Sequence, residues 1–359
     1  MTDTQLSFFE IVRSGLWETA PSLSVSLTEA DWERLYLMAH QQAVVGIFYN
    51  GVCKLGEGTK PPSSVLLKLA AAAERIEQRN HHLDEVQRAI LSFFRAKGLH
   101  PLVLKGQTLC NYYPHPEQRM CGDIDIFLPS EKENLKALSL VNGTGTRIQH
   151  SPDGSWTFTY KGVTIEIHRH AFDLISHKQE RAILKRMMAS STIKERLAPD
   201  EELLMLILHI LKHCLGPGVG LKQLCDLATA FRSLDGIYDK ERLSELFRYT
   251  HIVKWSRQIC SFIVNILGVP TECVPTGVRT PSDHSLLKII LNGGNFGQHA
   301  FGRQKALQGG DVQRKLSTVF FFICHFSFAI RYAPRKVLVY IYELTVGNHI
   351  HDNKSFKHQ

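Results

Sequence analysis

The sequence predicts an α+β fold, a small mixed or antiparallel sheet with flanking helices set between helical regions, the larger of them C-terminal. Three observations carry this expectation. Between residues 99 and 169, short apolar or alternating runs are punctuated by Pro152-Asp153-Gly154 and Lys161-Gly162. Before and after that stretch, apolar residues recur with the 3.6-residue period of helices. Apolar residues are 44% and charged residues 21% of the 359, which suffices for a buried core and excludes a disordered or collagen-like chain.

The first 60 residues read as short helices, Leu6 to Ser14 and then Thr28 to Gln42. Pro61-Pro62-Ser63-Ser64 marks a helix entry. The helix that follows, Val65 to Lys97, places Leu83, Val86, Ile90 and Phe94 on one face, and Gly98 ends it. Strand candidates come next: Leu99 to Leu104 and Gly122 to Leu128, then, after a helix over Ser130 to Leu140, Thr146 to His150, Ser155 to Tyr160 and Val163 to Arg169. The turn signals make the last three an antiparallel meander. Pro199-Asp200-Glu201-Glu202 opens a helix whose face is Leu203, Leu206, Ile207, Ile210 and Cys214. Helices near Leu221 to Leu234, Lys240 to Tyr249 and Lys254 to Leu267 follow, and a glycine-rich loop, Asn292 to Gly297, precedes the last ones. The division expected is a helical region over 1–97, a catalytic α+β domain over 98–195 and a helical domain over 196–359.

Lys and Arg exceed Asp and Glu, 42 to 34, for a net charge of +8, which suggests anionic partners. Eight single cysteines without a CxxC pair read as buried and reduced. The N-terminus lacks the basic and apolar regions of a secretory signal, and Val319 to Ile330 is too short and too polar to span a bilayer. A cytoplasmic location is expected.

The chemistry concentrates in Lys105-Gly106 and Gly122-Asp123-Ile124-Asp125-Ile126. Side chains alternate along a strand, so Asp123 and Asp125 project together while Ile124 and Ile126 enter the core. Paired carboxylates repel unless a cation lies between them, and hard divalent ions such as Mg²⁺ or Mn²⁺ take oxygen ligands while leaving positions for substrate phosphates. Phosphoryl-group chemistry uses that arrangement. In Val163-Thr164-Ile165-Glu166-Ile167-His168, Glu166 opposes an apolar face, and a returning meander would set it beside the two aspartates. His168 shares its face and would orient a carboxylate or contact phosphate.

These residues resemble the polymerase-beta-type nucleotidyltransferase superfamily, and more narrowly an uncharacterised bacterial nucleotidyltransferase family. The ordered set is Leu104-Lys105-Gly106, Tyr113-Pro114, Arg119, Gly122-Asp123-Ile124-Asp125 and Glu166-Ile167-His168, with Leu208-His209, Lys212-His213 and Gly220 to Asp226 in the helical part. The resemblance implies transfer of an NMP from an NTP, such as ATP, to an acceptor hydroxyl, with release of pyrophosphate. It implies Asp123, Asp125 and Glu166 as metal ligands and catalytic groups, and Lys105, Gly106, Gln107, Arg119, His168 and Lys212 as nucleotide contacts. Gln107 departs from the small residue that follows this glycine in many relatives, and leaves open a non-catalytic nucleotide-binding or scaffold protein. A toxin or defence enzyme modifying tRNA or protein is the other alternative. The acceptor, whether small molecule, protein or tRNA, is not legible.

His209 and His213 stand at i and i+4, a zinc-compatible spacing without a third ligand, and read as structural or nucleotide-facing groups. Lys212 and Asp226 would close over the nucleotide, or be surface residues. Asp153 reads as a turn residue and Asp173 as a solvated side chain. From Asp311 onward, seven basic residues face three acidic ones. With the apolar runs there they suggest a basic surface for a partner protein, membrane or RNA, against ordinary helix packing.

Overall fold

A computed structural model describes residues 1–342 apart from 152, 191–194, 217, 276–284 and 296–310. Helix α1 (Asp3–Trp17) and α2 (Glu29–Gln41) both begin at a threonine, Thr2 and Thr28, whose hydroxyl accepts from the backbone three residues on. Helix α3 (Val45–Cys53) has no side-chain cap and two glycines, so propensity gives no sign of it in the sequence. Contact holds it instead. A Cβ on Gly15 would overlap the Ile47 carbonyl and one on Gly51 the Ile11 carbonyl, so α1 and α3 touch backbone to backbone.

Helix α4 (Ser63–Ala96), 34 residues long, joins two cores. Its first half gives Val65, Leu69, Ala72 and Ile76 to a core shared by the N-terminal and C-terminal helices, from Phe8 and Leu35 to Leu206 and Trp255. Its second half gives Leu83, Val86, Ile90 and Phe94, the predicted face, to the core beneath the sheet.

The sheet has five strands in the order β1 (Leu102–Val103), β2 (Ile124–Phe127), β5 (Val163–His168), β4 (Trp156–Tyr160) and β3 (Gln149–His150). Strands β3, β4 and β5 form the antiparallel meander, β5 returns parallel to β2, and β1 closes the other edge antiparallel. The sheet is therefore mixed. Between β1 and β2 lies the four-residue helix α5 (Gln107–Cys110). Helix α6 (Glu131–Asn142) links β2 to β3 and adds Ala137 and Val141 to the sheet's core. After β5 comes α7 (His177–Ser190), entered through a capping box in which Ser176 Oγ accepts from the Gln179 amide and Gln179 Oε1 accepts from the Ser176 amide.

Helices α8 (Pro199–Leu215), α9 (Leu221–Ser233), α10 (Lys240–Tyr249) and α11 (Val253–Asn265) match the periodic segments, followed by α12 (Ser285–Gly293), a helix over Asp311–Tyr332 and another over 334–342. The acidic start of α8 is not solvated as its composition suggests. Asp200 accepts from the Asp239 amide, Glu201 pairs with Arg242, and Glu202 accepts from the Tyr112 hydroxyl, all three carboxylates being buried. Among the described residues no helix is long and apolar enough to cross a membrane. All eight cysteines are free, but Cys53 and Cys324 are exposed rather than buried. Of the predicted basic C-terminal surface, Lys336 is buried and donates to the Leu174 carbonyl, while Lys354 and Lys357 lie outside the described residues. So do Phe296 and Gly297 of the glycine-rich loop.

Candidate active site

The parallel pairing of β2 with β5 sets Asp125 opposite Glu166 and Phe127 opposite His168. Ile124, Ile126, Ile165 and Ile167 fill the core, which turns the alternate residues of both strands out of it. Asp123 precedes β2 by one residue and faces the same cavity, whose volume is about 250 Å³. One donor atom each from Asp125, Glu166 and His168 lie within 4.8 Å of one another. His168 Nε2 is 2.7 Å from Asp125 Oδ1 and 3.7 Å from Glu166 Oε2, and Lys105 Nζ is 3.3 Å from Asp125 Oδ1.

The cluster is electrostatically unequal. Burial pushes the Asp125 carboxyl up, but Lys105 and His168 outweigh it and hold the group well below the usual range. The Asp125 charge and then burial raise Asp123, and burial raises Glu166. Crowded carboxylate oxygens of this kind fit a hard divalent ion, which Asp125 and Glu166 could hold, with Asp123 lining the same cavity.

Lys105 leaves β1 and is followed by Gly106, at φ 75° and ψ −121°. A Cβ at Gly106 would meet the Asp123 carbonyl at 3.2 Å and Asp125 Oδ2 at 3.9 Å, so glycine is required by backbone angle and by the closeness of the Asp123 backbone carbonyl. Gly106→Ala is expected to cost ~1–3 kcal/mol of stability, and to lower activity more than stability because the strain falls on the aspartates. Urea denaturation beside a turnover assay measures both.

Two expected nucleotide contacts are placed differently. Gln107 is buried, its Nε2 donating to the Asn80 carbonyl at 2.9 Å and its Oε1 facing the Cys110 and Cys121 thiols. That side chain is part of the core beneath the loop and does not line the cavity. Arg119, 2% exposed, borders the cavity, but its guanidinium is engaged by Asp226 at 2.6 and 2.8 Å, by the Gly106 carbonyl at 2.9 Å and by Cys121 Sγ at 2.7 Å. It braces the Gly106 turn against α9. Asp226 also accepts from the Tyr113 hydroxyl at 2.6 Å, so it is neither a surface residue nor a group closing over the cavity.

The helical part supplies the far wall. His209, Lys212 and His213 share one face of α8, and Lys222 projects from α9. Asp173, expected to be solvated, stands among them: its Oδ2 is 3.0 Å from His209 Nδ1 and its Oδ1 is 2.6 Å from Lys212 Nζ. His209 Nε2 meets His213 Nε2 at 3.0 Å and Lys105 Nζ at 3.4 Å, and the tautomer protonated on Nδ1 donates to Asp173 and leaves Nε2 as the acceptor these two share. Lys222 Nζ donates to the Met120 carbonyl at 3.1 Å. Asp173 and Lys222 were the residues least legible in the sequence. The signal for Lys222 is its place inside the Gly220 to Asp226 stretch, and Asp173 carries none.

Burial and then Lys105 lower the His209 pKa from 6.5 to about 4, so the ring is neutral in the folded protein near pH 7. The unfolded chain takes up that proton first. The stability is full above pH 6.5, and is lost as pH falls toward about 4. His209→Gln is expected to flatten the fall in urea midpoint across that window.

Comparison with curated proteins and with solved structures finds no match. A family model does match, over residues 28–268. That span covers well over half the chain and takes in Lys105, the three carboxylates, His168, and the cavity faces of α8 and α9. The chain belongs to the family described as uncharacterised nucleotidyltransferase.

Proposed function

We propose that the cavity transfers a nucleoside monophosphate from an NTP to an acceptor hydroxyl, with the catalytic domain lying within residues 98–195. The observation that carries this reading is the register of Asp125 beside Glu166 on parallel strands, with Asp123 one step away. Asp123, Asp125 and Glu166 would hold Mg²⁺ or Mn²⁺, which when bound neutralises charge on the triphosphate. Lys105 beside Asp125, and Lys212 on the helical wall with Lys222 added from the structure, set positive charge along the cavity. The acceptor oxygen attacks the α-phosphorus, the bond to the bridging oxygen breaks, and pyrophosphate leaves with the bonding electron pair. Glu166 takes the hydroxyl proton. His168 fixes Asp125 through its 2.7 Å contact.

Nucleotide binding without transfer is a second reading, favoured by the inward turn of Gln107, which removes one side-chain donor from the phosphate site. Incubation with each α-labelled NTP, Mg²⁺ and cell extract separates the two. Label transferred to RNA, protein or a small molecule with pyrophosphate release supports transfer, and tight binding with no release at any acceptor supports the second reading.

A further inference from the structure

At the cavity's rim, the segment leaving β5 meets the first turn of α7 and brings together two imidazoles and a carboxylate. His170 Nδ1 is 2.6 Å from Glu180 Oε2, the rings of His170 and His177 lie 4.4 Å apart at 58°, and one donor atom from each of the three residues lies within 4.8 Å of the others. We propose that His170, His177 and Glu180 form a binding site for a late first-row divalent ion of the zinc class, separate from the group built on Asp123, Asp125 and Glu166.

The donor chemistry selects the ion. Two nitrogens and one carboxylate oxygen suit zinc and its neighbours, whereas Mg²⁺ and Ca²⁺ favour oxygen alone. His177 and Glu180 are three residues apart on α7 and so share one face. The two Glu180 oxygens divide their work. Oε1 accepts from the Ala171 amide at 2.7 Å and the Phe172 amide at 3.4 Å, which fixes the carboxylate, and Oε2 is the oxygen turned to the imidazoles. Outer contacts of that kind orient metal ligands. The Glu180–His170 pair alone needs one imidazole. The second, His177, is packed on the first and has no hydrogen-bond partner among the described residues.

The site is accessible. His177 is exposed, so an ion enters from solvent, and His170 borders the cavity, so a position left by three protein ligands opens toward it. A bound ion would tie the end of β5 to α7. The tied segment also carries Asp173, the partner of His209 and Lys212.

The test is titration of the chelator-treated full chain with Zn²⁺, and with Co²⁺ for its visible spectrum. The expected result in Asp125→Asn, which disables the carboxylate group, is one equivalent bound with a rise in Tm and a low-coordinate Co²⁺ spectrum. Affinity should fall by ~10-fold or more in His177→Ala, whose exposed side chain can be removed without unfolding the protein, and hold in Asp125→Asn. Wild-type affinity in His177→Ala, failure of the wild type to bind Zn²⁺ at micromolar concentration, or loss in Asp125→Asn with retention in His177→Ala would each overturn the proposal.

Discussion

Replacing Asp123 and Asp125 together with asparagine is expected to abolish divalent-ion-dependent pyrophosphate release while the chain stays folded. Loss of one preorganised charge contact at a reacting phosphate costs about 10²–10³ in rate, and the double variant removes two of the three proposed metal ligands. The folding cost is smaller than the ~3–5 kcal/mol of breaking a fully buried ion pair. Lys105 keeps Glu166 as a counter-charge and is 19% exposed, and asparagine oxygens still accept from Lys105 and His168. The Asp123–Asp125 repulsion that raises the Asp123 pKa also disappears. Near-UV circular dichroism alongside the pyrophosphate assay checks both halves. Undiminished turnover in a folded double variant contradicts the site.

Asp226→Ala is expected to have the largest effect on stability of any single change at the site. Arg119 and Asp226 have 2% and 5% of their side chains exposed, and removing the carboxylate leaves a buried guanidinium unpaired, at ~3–5 kcal/mol. The Tyr113 hydroxyl loses its acceptor as well, adding ~1–3 kcal/mol. Against a total stability of ~5–15 kcal/mol, the variant sits at the edge of unfolding, and its urea midpoint should fall accordingly. Its acid response should change too. Burial raises the Asp226 pKa, but Arg119 and then Lys222 and Tyr113 outweigh burial and hold it below 3.8. The stability from this carboxylate is therefore present above pH 3.8 and lost as pH falls through the lower folded value. The wild type should show that acid step and Asp226→Ala should lack it. A midpoint equal to wild type would mean that the Gly106 turn does not depend on this brace.

What the sequence reveals here follows from local physics. Alternation along a strand fixed which side of β2 and β5 carries Asp125, Glu166 and His168, because Ile124, Ile126, Ile165 and Ile167 had to enter the core. Turn residues fixed the meander that brings β5 back to β2. Helix periodicity placed α8 through α11 to within a few residues. Contacts between segments distant in sequence were not legible. Arg119 carries the same charge whether it meets phosphate or Asp226, and only the packing of α9 against the Gly106 turn decides between them. Asp173 looked solvated because its partners, His209 and Lys212, lie 36 and 39 residues away. The acidic start of α8 marked a helix opening, but nothing local showed that Arg242 and Tyr112 turn its carboxylates inward. Helix α3 depends on glycine contacts that no propensity expresses.

In the proposed site, Asp123, Asp125 and Glu166 hold a divalent ion against an NTP. A structure of the full chain with Mn²⁺ and a non-hydrolysable NTP analogue, located by anomalous scattering, tests it most directly. The expected result is manganese about 2.1 Å from oxygens of these three carboxylates, the value for a small hard divalent ion, with the triphosphate along Lys105, Lys212 and Lys222. Manganese away from the three carboxylates, or a triphosphate bound outside this cavity, would contradict it.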